Sequence, residues 1–272
     1  MTPFKTTFLK PEPQKPYSIV FMNILISKTS EELGTIAGKE TADIIRQAIA
    51  DRGQANIILG TGTSQFATLE QLIREDIDWS RVVMFHLDEY IGLPISHPAS
   101  FRKYLQERFL AKVSPLKASY LIDGEIDPQE EIRHLGDFIR LHPIDVALVG
   151  IGENGHLAFN DPPADFETEE PYLIVDLDTA CRRQQFNEGW FPSLEDVPAQ
   201  AISMSVRQIM KSRHIICSVP DARKAQATKD TLEQPISPLF PASILRSHPA
   251  CSLYLDESSA HLLAVETGQK EG

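Results

Sequence analysis

The sequence predicts an α/β fold: a mostly parallel sheet with helices on both faces. Three observations lead there. Short apolar runs alternate with longer stretches of helical periodicity along most of the chain. The run over residues 145–149 is apolar after its first residue and stops at Gly150, as inner strands of parallel sheets often do. A length of 272 residues suits one large α/β domain or two small ones and can bury a sizeable core.

Residues 1–18, with several prolines and lysines, read as a loose or draped N-terminal arm, which leaves 19–272 as a single domain. Thr29 and Glu32 form a capping-box pattern. Leu33, Ile36, Ala37, Ile44, Ile45 and Ala48 then recur at helical spacing up to Gly53. Residues 55–59 read as a strand, 64–74 as a helix and 82–87 as a strand. Residues 98–113 read as a helix that opens on Pro98, proline being favoured in a first turn. A helix over 127–141 and a strand over 144–149 follow. The second half is weaker, with strands at 173–177, 213–219 and 252–255, a helix at 221–232, and a short closing helix. The acidic, proline-broken segment 161–171 is the best candidate for a mobile loop.

A formal net charge of -12 argues against a nucleic-acid backbone or an anionic membrane as main partner. It leaves room for a small anionic ligand, because a few local donors overcome a distant net field. Cys181, Cys217 and Cys251 show no CxxC spacing, so they predict neither a disulfide framework nor a zinc site. The apolar run over 19–26 is broken by Asn23 and is too short for a membrane helix. The expectation is a cytoplasmic protein with a small-molecule partner, a homo-oligomer remaining open.

Four stretches carry candidate chemistry. Leu59-Gly-Thr-Gly-Thr-Ser64 joins a strand to a helix; Thr61, Gly62, Thr63 and Ser64 offer backbone and hydroxyl donors where a helix begins. The same residues also fit a plain turn with a serine cap, and neither a Walker loop nor a dinucleotide fingerprint is present. His86 and Asp88 fall on one side of the strand over 82–87 by period-two geometry. Asp88 there suits a base or a loop cap. In the stretch over 150–162, His156 stands near Asn154 and Asp161; it fits a proton shuttle or a histidine held by its own loop. No second ligand at helical spacing accompanies it, so no metal is expected. Arg182, Arg183 and Lys224 fit a phosphate clamp or a solvated face.

Taken together, Leu59-Gly-Thr-Gly-Thr-Ser64, Phe85-His-Leu-Asp-Glu-Tyr-Ile-Gly-Leu-Pro94 with His97-Pro98, and Gly150-Ile-Gly-Glu-Asn-Gly-His-Leu-Ala-Phe-Asn-Asp-Pro162 resemble the glucosamine-6-phosphate deaminase (isomerase) family, from about residue 30 to 260. The Asp-Glu-Tyr…Leu-Pro and Gly-His-x-Ala-Phe-Asn blocks differ from the related 6-phosphogluconolactonases, whose Gly-His block continues toward Ala-Ser-Leu-Phe-Pro. The resemblance implies a Rossmann-like fold and no required cofactor or metal. The implied reaction opens the ring of an amino-sugar 6-phosphate, moves a proton from C2 to C1 and releases ammonia. It also implies roles: Asp88 as the base, His156 in ring opening with Asn154 and Asp161 beside it, and the Gly-Thr loop with Lys224 on the phosphate.

Two departures stand out. Asp161 occupies a position where many relatives carry Glu, which shortens the reach of that carboxylate toward His156. The family's phosphate-binding Arg directly follows an Asp-Thr pair, whereas Asp178-Thr179 is followed here by Ala180 and Cys181; Arg183 is preferred over Arg182 for that role. The rival readings are a 6-phosphogluconolactonase-type hydrolase, a deaminase of another epimer such as galactosamine 6-phosphate, and a non-catalytic sugar-phosphate sensor. Retention of both Asp88 and His156 speaks against the last.

Overall fold

The apolar runs pair into one seven-stranded sheet. The computed structural model of the protein describes Tyr17 and residues 22–263, so the expected arm over 1–18 lies outside the described residues apart from Tyr17. In chain order the strands are β1 (Asn23–Ser27), β2 (Ala55–Leu59), β3 (Val82–His86), β4 (Asp88–Tyr90), β5 (Ala118–Tyr120), β6 (Val146–Val149), β7 (Tyr172–Asp176), β8 (Gln200–Met204), β9 (His214–Val219) and β10 (Cys251–Asp256). The large sheet runs β1-β10-β9-β6-β2-β3-β5 with every pairing parallel, and β4-β8-β7 form a small antiparallel sheet.

The helices are α1 (Ser30–Arg52), α2 (Phe66–Leu72), α3 (Phe101–Leu105), α4 (Pro128–Arg140), α5 (Thr179–Asn187), α6 (Val206–Met210), α7 (Ala225–Glu233) and α8 (Glu257–Ala260). Side chains alternate across the central strands and so build two cores. On one face Ile57, Leu59, Val82, Met84 and Leu148 pack with Leu33, Ala37 and Ile45 of α1 and Leu69 of α2. On the other, Ile58, Val83, Phe85, Ala147 and Val149 pack with Leu135 and Ile139 of α4, Ile209 of α6 and Ala227 of α7. The expected doubly covered parallel sheet is therefore present. A third cluster, around Tyr90, Phe159, Cys181 and Phe191, lies under the small sheet.

Several boundaries differ from the sequence reading. Thr29 accepts from Glu32 N as expected, but the Glu32 carboxylate takes the amide of Lys28 rather than that of Thr29. The helix expected from Pro98 starts at Phe101, because Ser100 caps it and Glu89 takes the Phe101 and Arg102 amides; a π-helical stretch then follows over Gln106–Leu110. Sequence reading missed β1, β4, β5, β8, α5 and α6. The loop over 161–171 is pinned at Asp161 and by Ala164 N donating to Pro238 O at 3.0 Å. No helix among the described residues is long and apolar enough to cross a membrane.

Helix α1 rests on α2 so closely at Gly34 that an added Cβ would overlap Ala67 and the Thr68 amide. Overpacking of this kind costs about 1–3 kcal/mol. Gly34→Ala is expected to lower the urea midpoint with an unchanged slope; an unaltered midpoint would show that the helices part freely.

Candidate active site

The chain reverses direction across the sheet between β2 and β6. From β2 it runs outward through β3 to β5, then returns to place β6 on the other side of β2 and continues outward through β9 and β10. Loops at the carboxyl ends of β2 and β6 therefore part and leave a crevice, the usual ligand position in an open α/β sheet. A cavity open to solvent lies there. Residues 60–64 after β2, Leu87 and Asp88 after β3, residues 150–152 and His156 after β6, and Lys224 beyond β9 all line it.

Asp88 enters the cavity because the chain changes sheets beside it. Leu87 N donates to Leu59 O at 3.2 Å in the large sheet, while Leu87 O accepts from Met204 N at 2.9 Å in the small one. His86 and Asp88 thus belong to different sheets, which replaces the expectation that they share a strand side. His86 is fully buried away from the cavity, and burial, aided by the Arg102 charge, pushes its imidazole down to about 3. Asp88 Oδ1 is enclosed without a hydrogen-bond partner. Burial, with the Glu89 charge adding to it, pushes the Asp88 carboxyl up to about 8. The carboxylate of Glu89 is occupied instead, accepting from the amides of Tyr90, Phe101 and Arg102 and from the Ser100 hydroxyl.

His156 is set by its loop. Asn160 donates to Leu157 O at 2.7 Å and to Met204 O at 2.8 Å, and Ala158 adopts a φ of 50°. This tight return brings Asp161 Oδ1 to 2.9 Å from His156 Nδ1, so the shorter side chain still reaches the ring. Asn154 sits behind the pair: its Nδ2 donates to Asp161 at 2.8 Å and its Oδ1 accepts from His156 N at 3.1 Å. Burial alone would raise the Asp161 carboxyl, but hydrogen bonds from His156, Asn154 and the Asp178 amide outweigh it and hold the group below its ordinary value. Gly152 is required by close approach, since a Cβ there would overlap the His156 ring at Nε2. His156, Asp161 and Cys181 place one possible metal-ligand atom each within 4.8 Å of one another. Asp161 is hydrogen-bonded to the imidazole, and burial, with the Asp161 charge beside it, pushes the Cys181 thiol up.

The glycine-threonine turn supplies the donors. Gly62 has a φ of 88°, a left-handed conformation that glycine adopts freely. Residues 63–65 form a single 3-10 turn and α2 begins only at Phe66, so the residues that line the cavity belong to the turn and not to the first turn of an α-helix. Among the described residues nothing accepts from the amides of Thr61, Gly62, Thr63 or Ser64. Lys224 is buried and makes no ion pair among the described residues; burial depresses its ammonium, against the raising effect of Glu188 and Glu153. Arg183 is exposed on α5 and does not line the cavity, while Arg182 donates to Leu194 O and Val197 O. The structure thus brings Thr61, Gly62, Thr63, Ser64, Asp88, His156 and Lys224 together, backs them with Asn154 and Asp161, and leaves both arginines out. It adds Gln184 and Gln185 of α5 and Glu188 just after it, which sequence reading missed. The only signal for them was Asp178 preceding Thr179, an N-cap pattern that the structure fulfils through Cys181 N.

The family described as glucosamine-6-phosphate isomerases/6-phosphogluconolactonase matches residues 28–253. A glucosamine-6-phosphate deaminase of Oenococcus oeni is 34% identical over 229 residues, 84% of this chain and 94% of that protein. One from Lactobacillus delbrueckii subsp. bulgaricus is 32% identical over 243 residues, 89% of this chain and all (100%) of that one. A solved monomeric glucosamine-6-phosphate deaminase superposes with a TM-score of 0.81 at 32% identity, covering 89% of this chain and 100% of its own. The 6-phosphogluconolactonase of Trypanosoma brucei shares the fold, with a TM-score of 0.73 at 18% identity over 91% of this chain and 100% of that one. With relatives of matching length and all the crevice loops inside the matched region, this chain belongs to the glucosamine-6-phosphate isomerase/6-phosphogluconolactonase family.

Proposed function

We propose that the protein is an enzyme that isomerises and deaminates a 2-amino-2-deoxyhexose 6-phosphate, glucosamine 6-phosphate in the first instance, to fructose 6-phosphate and ammonia. The observation that carries this reading is one cavity holding a buried unpartnered carboxylate, a carboxylate-held imidazole, a row of unused amides and a buried lysine. Its relatives named as glucosamine-6-phosphate deaminases support the same substrate.

The chemistry divides along the cavity. The amides and hydroxyls of residues 61–64, with Lys224, hold the phosphate, and binding there aligns the distant reacting carbons. His156, its Nδ1 fixed by Asp161, passes a proton between the ring oxygen and the C1 hydroxyl through Nε2 and opens the ring. The C1 aldehyde acidifies the C2 hydrogen. Asp88 takes that proton while the carbonyl oxygen gains one, giving an enolamine, and returns a proton to C1. The resulting C2 imine adds water and loses ammonia. We place this enzyme in the cytoplasm as one domain over 19–272; its cysteines are free and buried, as suits a reducing compartment.

Three outcomes test the assignment. Asp88→Asn is expected to cut ammonia release about a hundredfold to ten-thousandfold while still binding substrate, since general-base contributions have that size. Lactone hydrolysis without ammonia release by the wild type would instead favour the hydrolase reading. A base works ionised, and a carboxyl raised to about 8 is mostly protonated at neutrality. The free enzyme's kcat/KM should therefore rise with pH until about 8 and then level. A profile flat across that range would remove Asp88 as the base. Gly152→Ala should displace the imidazole and lower kcat on the order of a hundredfold, the cost of misplacement by about 1 Å, with KM changed far less. Unaltered kcat would show that the His156 position does not matter.

A further inference from the structure

Helix α5 contributes a neutral donor to the cavity that the mechanism above does not use. Gln185 is buried and lines the cavity beside Asp88. Its Oε1 accepts from the Tyr90 hydroxyl at 2.8 Å. In this arrangement the carbonyl faces Tyr90, which leaves the NH2 on the other side. The Tyr90 bond is the side-chain hydrogen bond Gln185 makes among the described residues, and its NH2 donates in none. Tyr90 itself is rigid: it is fully buried, and its ring meets those of Phe101, Phe159 and Phe191. It stands two residues from Asp88 on β4, so Gln185 is tied to the carbon-chain end of the cavity. Gln184, by contrast, is used up, accepting from Glu153 N and donating to Glu188.

We propose that Gln185 is a substrate-recognition residue whose NH2, aimed by Tyr90, donates to a hydroxyl oxygen on the carbons between the reacting end and the phosphate. A neutral amide suits a neutral hydroxyl. A site built to hydrogen-bond a hydroxyl rejects the analogue lacking it, because its own polar group is then left unpaired. Tyr90 acts through Gln185 and is a positioning residue. The inference rests on the amino-sugar phosphate reading above.

The test compares wild type, Gln185→Leu and Tyr90→Phe on 2-amino-2-deoxyglucose 6-phosphate and on its 3-deoxy and 4-deoxy counterparts. Wild type should prefer the parent over one deoxy compound by about tenfold or more in kcat/KM. Gln185→Leu should lose that much on the parent and little on that deoxy compound, erasing the discrimination. Tyr90→Phe should weaken the discrimination without moving the pH profile. A Gln185→Leu enzyme that keeps the preference, or that loses rate equally on all three compounds, would overturn the proposal. Calorimetric binding of the three corresponding unreactive alditol phosphates reads the same discrimination without turnover. Absence of ammonia release by wild type would then fail the functional reading alone, while Gln185 is still judged by binding.

Discussion

The pairing of β2 with β6 is the constraint on which the rest depends. It is secured at both ends. At the amino ends Asp145 takes the Asn56 amide at 2.8 Å and the Arg52 guanidinium at 2.5 Å, and Asn56 O accepts from Asp145 N. At the carboxyl ends Gly60 N donates to Leu148 O at 2.9 Å. Between these ties the chain has reversed its direction of travel across the sheet, so the loops that follow the two strands must separate. The crevice is a consequence of topology. Its occupants are whatever residues follow those strands: the glycine-threonine turn on one side and the glycine-histidine loop on the other.

What fills the crevice lowers stability. An enclosed carboxylate oxygen without a partner and a buried ammonium that makes no ion pair, both among the described residues, oppose folding. The structure around them satisfies the neighbouring carboxylates of Glu89 and Asp161. In Asp88-Glu89-Tyr90 three neighbours have three separate tasks. Asp88 faces the cavity, Glu89 holds the start of α3 under Arg102, and Tyr90 reaches across to α5. Asp161 plays the equivalent part for the histidine loop, joining His156, Asn154 and the Asp178 amide at the start of α5.

The middle of the parallel sheet was legible because its strands are buried on both faces, whereas the edge strands β1 and β5 are part-exposed and carry no such apolar run. The residues at strand ends were legible for the same reason: Thr61–Ser64, Asp88 and His156 lie next to recognisable runs. Lys224 was legible only through the resemblance, since nothing in its spacing says that it is buried. The small sheet was hidden because β4 has three residues and follows β3 after one, so the pair reads as a single strand. Helix α5 was hidden because Arg182, Arg183, Gln184 and Gln185 look like a solvated face, while the fold turns the two glutamines inward and the arginines away. The Asp161 reach could not be judged from the sequence at all. It depends on how tightly Asn160 draws the loop back onto β8.

The most direct measurement is a crystal structure of the protein with the unreactive open-chain analogue 2-amino-2-deoxyglucitol 6-phosphate. The account predicts its phosphate on the amides of residues 61–64 and on Lys224, its C2 facing the Asp88 carboxyl, and its C1 end within reach of His156. A phosphate seated on Arg183 outside the crevice, or an analogue lying with C2 turned away from Asp88, would contradict it.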